Sequence, residues 1–194
     1  MVLKFVLALT LTAWTLAAPA QAQAPWRIDR AHSKITFTVT KWGLVQVEGR
    51  FHDFTGSIHY DAAAPERSRI DWRVKVATVD TGEPVRDQAL QAREYFDAAR
   101  NPELSFVSSK VTPLSPTLLE VLGTITMRGV SKPLTVQVAY DGRHNVPDLG
   151  PMDLFQTSFT INRLDFGIVG GSLLGPVISN HAKITLIAAA RPAS

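Results

Sequence analysis

The sequence predicts an all-β domain, an antiparallel barrel of about eight strands with one α-helix (about residues 84–97) near an opening. Three observations carry this. Apolar and polar residues alternate in short runs along most of the chain, one stretch alone switches to helical spacing, and glycine and proline punctuate the joints. A period of two gives a strand one wet and one dry face. Eight such strands either close into a barrel or stack as a sandwich. A lone helix placed midway favours the barrel, because one end of a barrel needs a stopper.

The first residues read as a leader. Lys4 is the only charge before Arg27, an apolar run follows from Phe5 to Leu16, and three overlapping Ala-x-Ala frames end at Ala20, Ala22 and Ala24. A positive start, a core too short to span a bilayer and small residues at the cut make a signal peptide. Residues 1–22 are assigned to it and residues 23–194 to a single domain. Cleavage after Ala22 or Ala20 is preferred to cleavage after Ala24, which would put Pro25 beside the scissile bond. The expected product is exported and soluble, with a periplasmic location. Cysteine is absent and no Asn-x-Ser/Thr acceptor occurs, which suits a bacterial periplasm better than a small eukaryotic secreted module.

The strands follow in order. Ile35, Phe37 and Val39 alternate with Thr36, Thr38 and Thr40, and Glu48 to Tyr60 supplies the next run. Ile70, Trp72, Val74 and Val76 give the clearest alternation. Glu103 to Val111 and Leu118 to Met127 come next, then the set Leu134, Val136, Val138 and Tyr140. Phe155, Phe159 and Ile161, and finally Ile184 and Leu186, complete the count. In "VEGRFHDFTGSIHY", Phe51 and Phe54 have opposite parity. A bulge near His52-Asp53 would turn both rings inward and bend the strand, as closure of a barrel requires.

The helical stretch opens after Asp80 or Thr81, either of which can cap it, and Pro84 suits its first turn. Val85, Ala89, Ala92 and Phe96 form one apolar stripe with Leu90 at its edge, and a buried stripe is expected. Arg86, Asp87, Arg93 and Glu94 lie mainly on the opposite, solvated face. The reading is a lid, with Asp80, Arg86, Asp87, Leu90 and Phe96 anchoring it to the rim.

Chemistry-bearing motifs are sparse. The five histidines, His32, His52, His59, His144 and His181, form no metal-ligand spacing, and His32 and Ser33 point to opposite faces of any strand. No Gly-x-Ser-x-Gly elbow, phosphate loop or dinucleotide fingerprint is present. The glycines between Gly167 and Pro176 read as a hairpin, since no helical pattern follows them. Neither catalytic residues nor a metal nor a cofactor is assigned. The formal charge of +3 drops by one with Lys4 and is too scattered for nucleic acid.

The order and spacing of several short motifs resemble the YceI-like family of bacterial periplasmic proteins, roughly from Trp26 to Ala188. They are Ile28-Asp29 with His32-Ser33; Gly49-x-Phe51-x-x-Phe54-x-Gly56-x-Ile58; and Val79-Asp80-Thr81-Gly82. Arg86-Asp87, Leu90, Phe96-Asp97, Pro102 and Phe106 continue the pattern. Gly123, Arg128 to Pro133, Arg163 and Asp165-Phe166-Gly167 complete it. The resemblance implies an eight-stranded antiparallel, lipocalin-like barrel whose long apolar interior holds a polyisoprenoid or similar lipid. It implies no established catalytic residues. Two departures stand out: Ala89 replaces a histidine common before the helix leucine, and Ser179-Asn180 replaces Gly-Asp before the last strand. Both remove polar or charged groups. The Gly-x-Trp signature of true lipocalins is missing at Trp26.

With such a barrel, the lumen wall is expected from Phe37, Val39, Phe51, Phe54, Trp72, Val74, Phe106, Phe155, Phe159 and Phe166. Those side chains either fill the interior as a solid core or wall a hollow one; composition leaves both open. A hollow lumen suits a carrier that sequesters or shuttles a long-chain amphiphile, in transient contact with a membrane or a membrane protein, with a homodimer also open to it. The rival is an enzyme of lipid modification or isoprenoid metabolism, whose acid–base candidates near one end would be Asp80, Arg86, Asp87 and His32. A stress-related interaction module would instead present a large exposed apolar patch.

Overall fold

The computed structural model describes residues 26–61, 64–171 and 177–192. The leader expected from the sequence and its three cleavage frames lie outside these residues, as does the end of the glycine-rich segment, residues 172–176.

Eleven strand segments and one helix order the described residues: β1 (Trp26–Ile28), β2 (Lys34–Lys41), β3 (Val45–Phe51), β4 (Phe54–His59), β5 (Arg69–Lys75), β6 (Val79–Asp80), α1 (Pro84–Gln91), β7 (Glu103–Ser115), β8 (Leu118–Met127), β9 (Val130–Val146), β10 (Gly150–Asn162) and β11 (Ile178–Pro192). All pairings are antiparallel. β1 pairs with both β4 and β11, so the ring β1-β4-β5-β7-β8-β9-β10-β11 closes. β2, β3 and β6 continue the walls begun by β1, β4 and β5. The result is an eight-staved barrel, three of whose staves are broken midway. Closure removes the sheet edges of that ring, while β6, paired with β3 alone, ends the strand order beside α1.

The three breaks lie side by side and share one carboxylate. The first is the 3-10 turn Arg30–His32, the second the pair His52-Asp53, the third the turn Val76–Thr78. Asp53 takes a 2.7 Å hydrogen bond from Arg30 and a 2.8 Å ion pair from Lys75, while its own N–H donates to Thr78 Oγ1 at 3.0 Å. The hydrogen bond from Lys75 holds the Asp53 carboxyl below its ordinary range, with Arg30 adding to the effect against partial desolvation. At this seam Phe51 and Phe54 both turn into the core despite their opposite parity. A second irregularity lies in β7, where the register slips between Ser108 and Lys110. Phe106 and Val111, also of opposite parity, thereby join the same core.

One end of the barrel is sealed. Tyr60, Tyr140 and Phe155 pack with centroids 4.7 to 5.7 Å apart. Beside them Asp153 is 1% exposed and is clasped by Arg143 through two bonds of 3.0 and 2.9 Å, with the Tyr140 hydroxyl donating at 3.2 Å. Arg143 also lies over the Trp26 ring at 4.3 Å. A buried carboxylate is tolerable here because it is fully hydrogen-bonded. The opposite end, where α1 sits, stays open.

Candidate functional site: an apolar cavity beneath the helix

Period-two strands project every second side chain inward, and in most small barrels those side chains fill the interior. Here two glycines prevent it. Gly49 on β3 faces inward opposite Phe37 on β2, and the far edge of the Phe37 ring occupies the space a Cβ on Gly49 would need. Gly123 on β8 receives the Phe106 ring of β7 in the same way. Each ring lies along the wall rather than across the lumen. Space is left in the middle.

That space forms two adjoining cavities. A deep one of about 130 Å³ is walled by Trp72, Val74, Phe106, Phe155 and Phe159, among others. An outer one of about 570 Å³ opens beneath α1. Phe37, Phe51, Leu104, Met127 and Ile184 line both. Val39 lines the outer cavity. Of the wall residues expected from sequence, Phe54 and Phe166 border neither space. Phe54 follows the seam directly and is committed to packing on Trp72, 5.7 Å between centroids. Phe166 lies in the 3-10 turn Arg163–Phe166, where the chain has left the wall, and packs in a second cluster with Met127, Ile161, Ile168 and Ala182.

The lid differs from its sequence reading in length and in burial. α1 ends at Gln91 rather than near residue 97, because Ala92 turns extended and the following N–H groups fold back. Phe96 donates to Leu90 O and Asp97 to Ala92 O. These turns carry Phe96 down onto Phe51, edge to face at 6.0 Å. The stripe of Val85, Ala89 and Ala92 is not buried; Val85 is 75% exposed. Val85 and Ala89 face the outer cavity, so the apolar face of the helix covers empty space rather than a packed core. Neither Asp80 nor Thr81 caps the helix; Glu83 holds that position and makes no side-chain cap bond.

The charged residues of the lid act as ties. The Thr81 N–H and hydroxyl donate to Asp87 Oδ1, while Arg86 donates to Thr81 Oγ1 at 2.7 Å and to Thr81 O at 2.9 Å. Asp80 pins β6 to the seam, bonded to Arg50 at 2.8 and 3.0 Å and lying 2.8 Å from His52 Nε2. The hydrogen bond with His52, then the Gly82 N–H and Arg50, hold its carboxyl far below the ordinary range. Arg128 ties the remaining side, donating to Gly167 O and Arg93 O, and the Gly170 N–H donates to Glu94 O. His32 lies in the first break of the seam and pairs with Asp29 at 3.2 Å. Of the four acid–base candidates of the enzyme reading, Arg86 and Asp87 meet at Thr81 and Asp80 precedes it in β6, while His32 pairs with Asp29 instead. Among the described residues no three His, Asp or Glu side chains converge on a metal site.

Sequence reasoning missed the polar part of the mouth. Lys41, Tyr95 and Arg163 line the outer cavity. Arg163 is buried, bonded to the carbonyls of Ile168, Ser179 and Ile178 and to Asn180 Oδ1. Burial pushes its guanidinium below the ordinary value, though arginine keeps its charge in proteins. Its only sequence signal was its place ahead of Asp165-Phe166-Gly167. Around the same mouth Trp42 is 62% and Leu44 88% exposed, on the hairpin between β2 and β3.

A closed eight-staved antiparallel barrel, sealed at one end and covered at the other by a short helix over an apolar cavity, is the lipocalin-like architecture. Within it the chain belongs to the YceI-like family, whose domain matches residues 26–190. A UPF0312 protein of Pseudomonas savastanoi pv. phaseolicola is 32% identical over 172 residues, covering 88% of this chain and 90% of that one. The crystal structure of Burkholderia cenocepacia BcnA has a TM-score of 0.77 at 24% identity, over 84% of this chain and 99% of that one. A polyisoprenoid binding domain from Saccharophagus degradans, implicated in plant cell wall breakdown, has a TM-score of 0.69 at 15% identity, over 88% and 100%. At these identities the two structures share the fold.

Proposed function

We propose that this protein is a periplasmic carrier that takes the hydrocarbon tail of a polyisoprenoid or similar long-chain amphiphile into the barrel and performs no chemistry on it. The observation that carries the reading is the pair of adjoining, mostly apolar cavities, one beneath α1 and one deep in the barrel that reaches Phe155 of the aromatic plug. Cavities of this order accept ligands of a few tens of atoms. Each buried methylene contributes about 0.8 kcal/mol, so a dozen contribute roughly 10 kcal/mol before ordering costs. No salt bridge or catalytic dyad is required. The polyisoprenoid binding domain of like fold from Saccharophagus supports the same ligand class. The leader read from the sequence supports the location, and no helix among the described residues is long and apolar enough to cross a membrane.

The exposed Trp42 and Leu44 beside the mouth support brief contact with a bilayer during loading. Tryptophan is at home at the membrane interface, and Lys41 Nζ rests 4.0 Å above its ring. A single chain already encloses the space, so the carrier reading needs no second copy. Purification from the native periplasm, followed by lipid extraction and mass spectrometry, tests the proposal. Recovery of a stoichiometric long-chain lipid is expected; protein that purifies empty and takes up no lipid from vesicles would overturn it. Incubation of the loaded Asp87→Asn variant and of the unaltered protein tests the absence of turnover. Both should return the lipid unchanged.

A further inference from the structure

The mouth of the cavity is not neutral. Its lining holds three cationic side chains, Lys41, Arg86 and Arg163, and one carboxylate, Glu83. Lys41 and Arg163 are neighbours through Ile178, which pairs with Lys41 across the sheet and accepts a bond from Arg163 through its carbonyl at 3.2 Å. Arg86 lines the same opening from α1. Lys41 is half-buried and forms no ion pair among the described residues; its Nζ lies 4.0 Å from the centroid of the Trp42 ring. Arg86 is tied to Thr81 through Nε and one terminal nitrogen; its other terminal nitrogen makes no hydrogen bond among the described residues. Asp87, the nearest carboxylate on the helix, is itself taken up by Thr81. A pure hydrocarbon binder gains nothing from holding these cations at its opening.

We propose that the outer cavity is built for a lipid with an anionic head, a carboxylate or a phosphate monoester, seated between Lys41 and Arg86, beside the buried charge of Arg163, whose own N–H groups are held by carbonyls and Asn180, with its tail in the lumen. This rests on the carrier reading and names the class of amphiphile that it carries. The sealed end admits no head group, because Asp153 there is buried and negative while the ring plug blocks passage. The tail therefore enters first and the head stops at the cations. There it can receive charge-assisted hydrogen bonds, which are about twice as strong as neutral ones.

Matched ligands test this on the full mature chain stripped of lipid. Oleate is compared with oleyl alcohol, and geranylgeranyl phosphate with geranylgeraniol, by titration at low ionic strength. At least one anion should bind roughly tenfold or more tighter than its alcohol, and the preferred pair tells a carboxylate from a phosphate. The double variant Lys41→Gln with Arg86→Gln should bring the ratio of anion to alcohol affinity close to one, whereas Lys41→Arg with Arg86→Lys should keep it. Equal affinities within both pairs for the unaltered protein would overturn the head-group assignment alone, as would a preference that survives the glutamine variant. Failure of all four ligands to bind would remove the carrier reading and this inference with it.

Discussion

The ring of Phe37 rests on Gly49, its cross-strand partner, in the place where any other residue would carry a Cβ. This contact keeps a large aromatic side chain against the wall of the barrel while it lines both cavities. An inward glycine facing an aromatic also stabilises a bent strand that would otherwise carry an unpacked backbone. The width of the lumen therefore depends on residues that contribute no side chain to it.

Gly49→Ala should force Phe37 off the wall and into the cavity. Overpacking of this kind costs about 1–3 kcal/mol, read as a lower denaturation midpoint, and lipid uptake should fall more than stability. Gly123→Ala should be worse, because its Cβ would meet the Val107 carbonyl as well as the Phe106 ring, and backbone cannot swing aside.

At the sealed end, Asp153→Ala removes the acceptor of two Arg143 bonds and of the Tyr140 hydroxyl. Loss of one partner of a fully buried pair costs about 3–5 kcal/mol. The Arg143 side chain is half in water, so the expected loss in urea denaturation is lower, about 2 kcal/mol. Arg143→Ala should cost about as much or more, since it leaves the buried carboxylate without its cation.

Stability should decline at both extremes of pH, for opposite reasons. Asp80 has a depressed folded-state pKa, so its contribution is present above its ordinary value of 3.8 and is lost as pH falls below that. Asp80→Asn should flatten this acid limb of the melting curve. Tyr140 is pushed up to about 12, by burial first and by the Asp153 charge second. Its contribution is intact below pH 10 and disappears as pH rises from 10 towards 12. Tyr140→Phe should remove that alkaline component.

Trp42→Ala and Leu44→Ala should leave the melting temperature nearly unchanged, since both side chains are exposed and surface substitutions rarely shift stability beyond about 0.5 kcal/mol. Transfer of lipid from vesicles should slow several-fold to about tenfold in the double variant, measured by stopped-flow fluorescence. An unaltered transfer rate would remove the hairpin from the loading step.

Much of the wall was written in the order of residues. Side chains alternate strictly along a strand, so Ile70, Trp72 and Val74 announce an inward face without reference to any neighbour, up to the turn that opens at Val76. The opposed parity of Phe51 and Phe54 likewise demanded a break between them, and the chain breaks there. The lid was legible in kind but not in contact. Periodicity told which side of α1 is apolar, and could not tell that Val85 and Ala89 would face a void. Whether the barrel was solid or hollow lay beyond sequence altogether, because it turns on cross-strand register: Phe37 meets Gly49 and Phe106 meets Gly123 only once distant strands are paired. The same pairing seats Lys41 beside Ile178 and so beside Arg163. Local alternation is a property of one segment and its solvent, whereas empty space and a cluster of charge belong to several segments at once, so the closed barrel alone decided them.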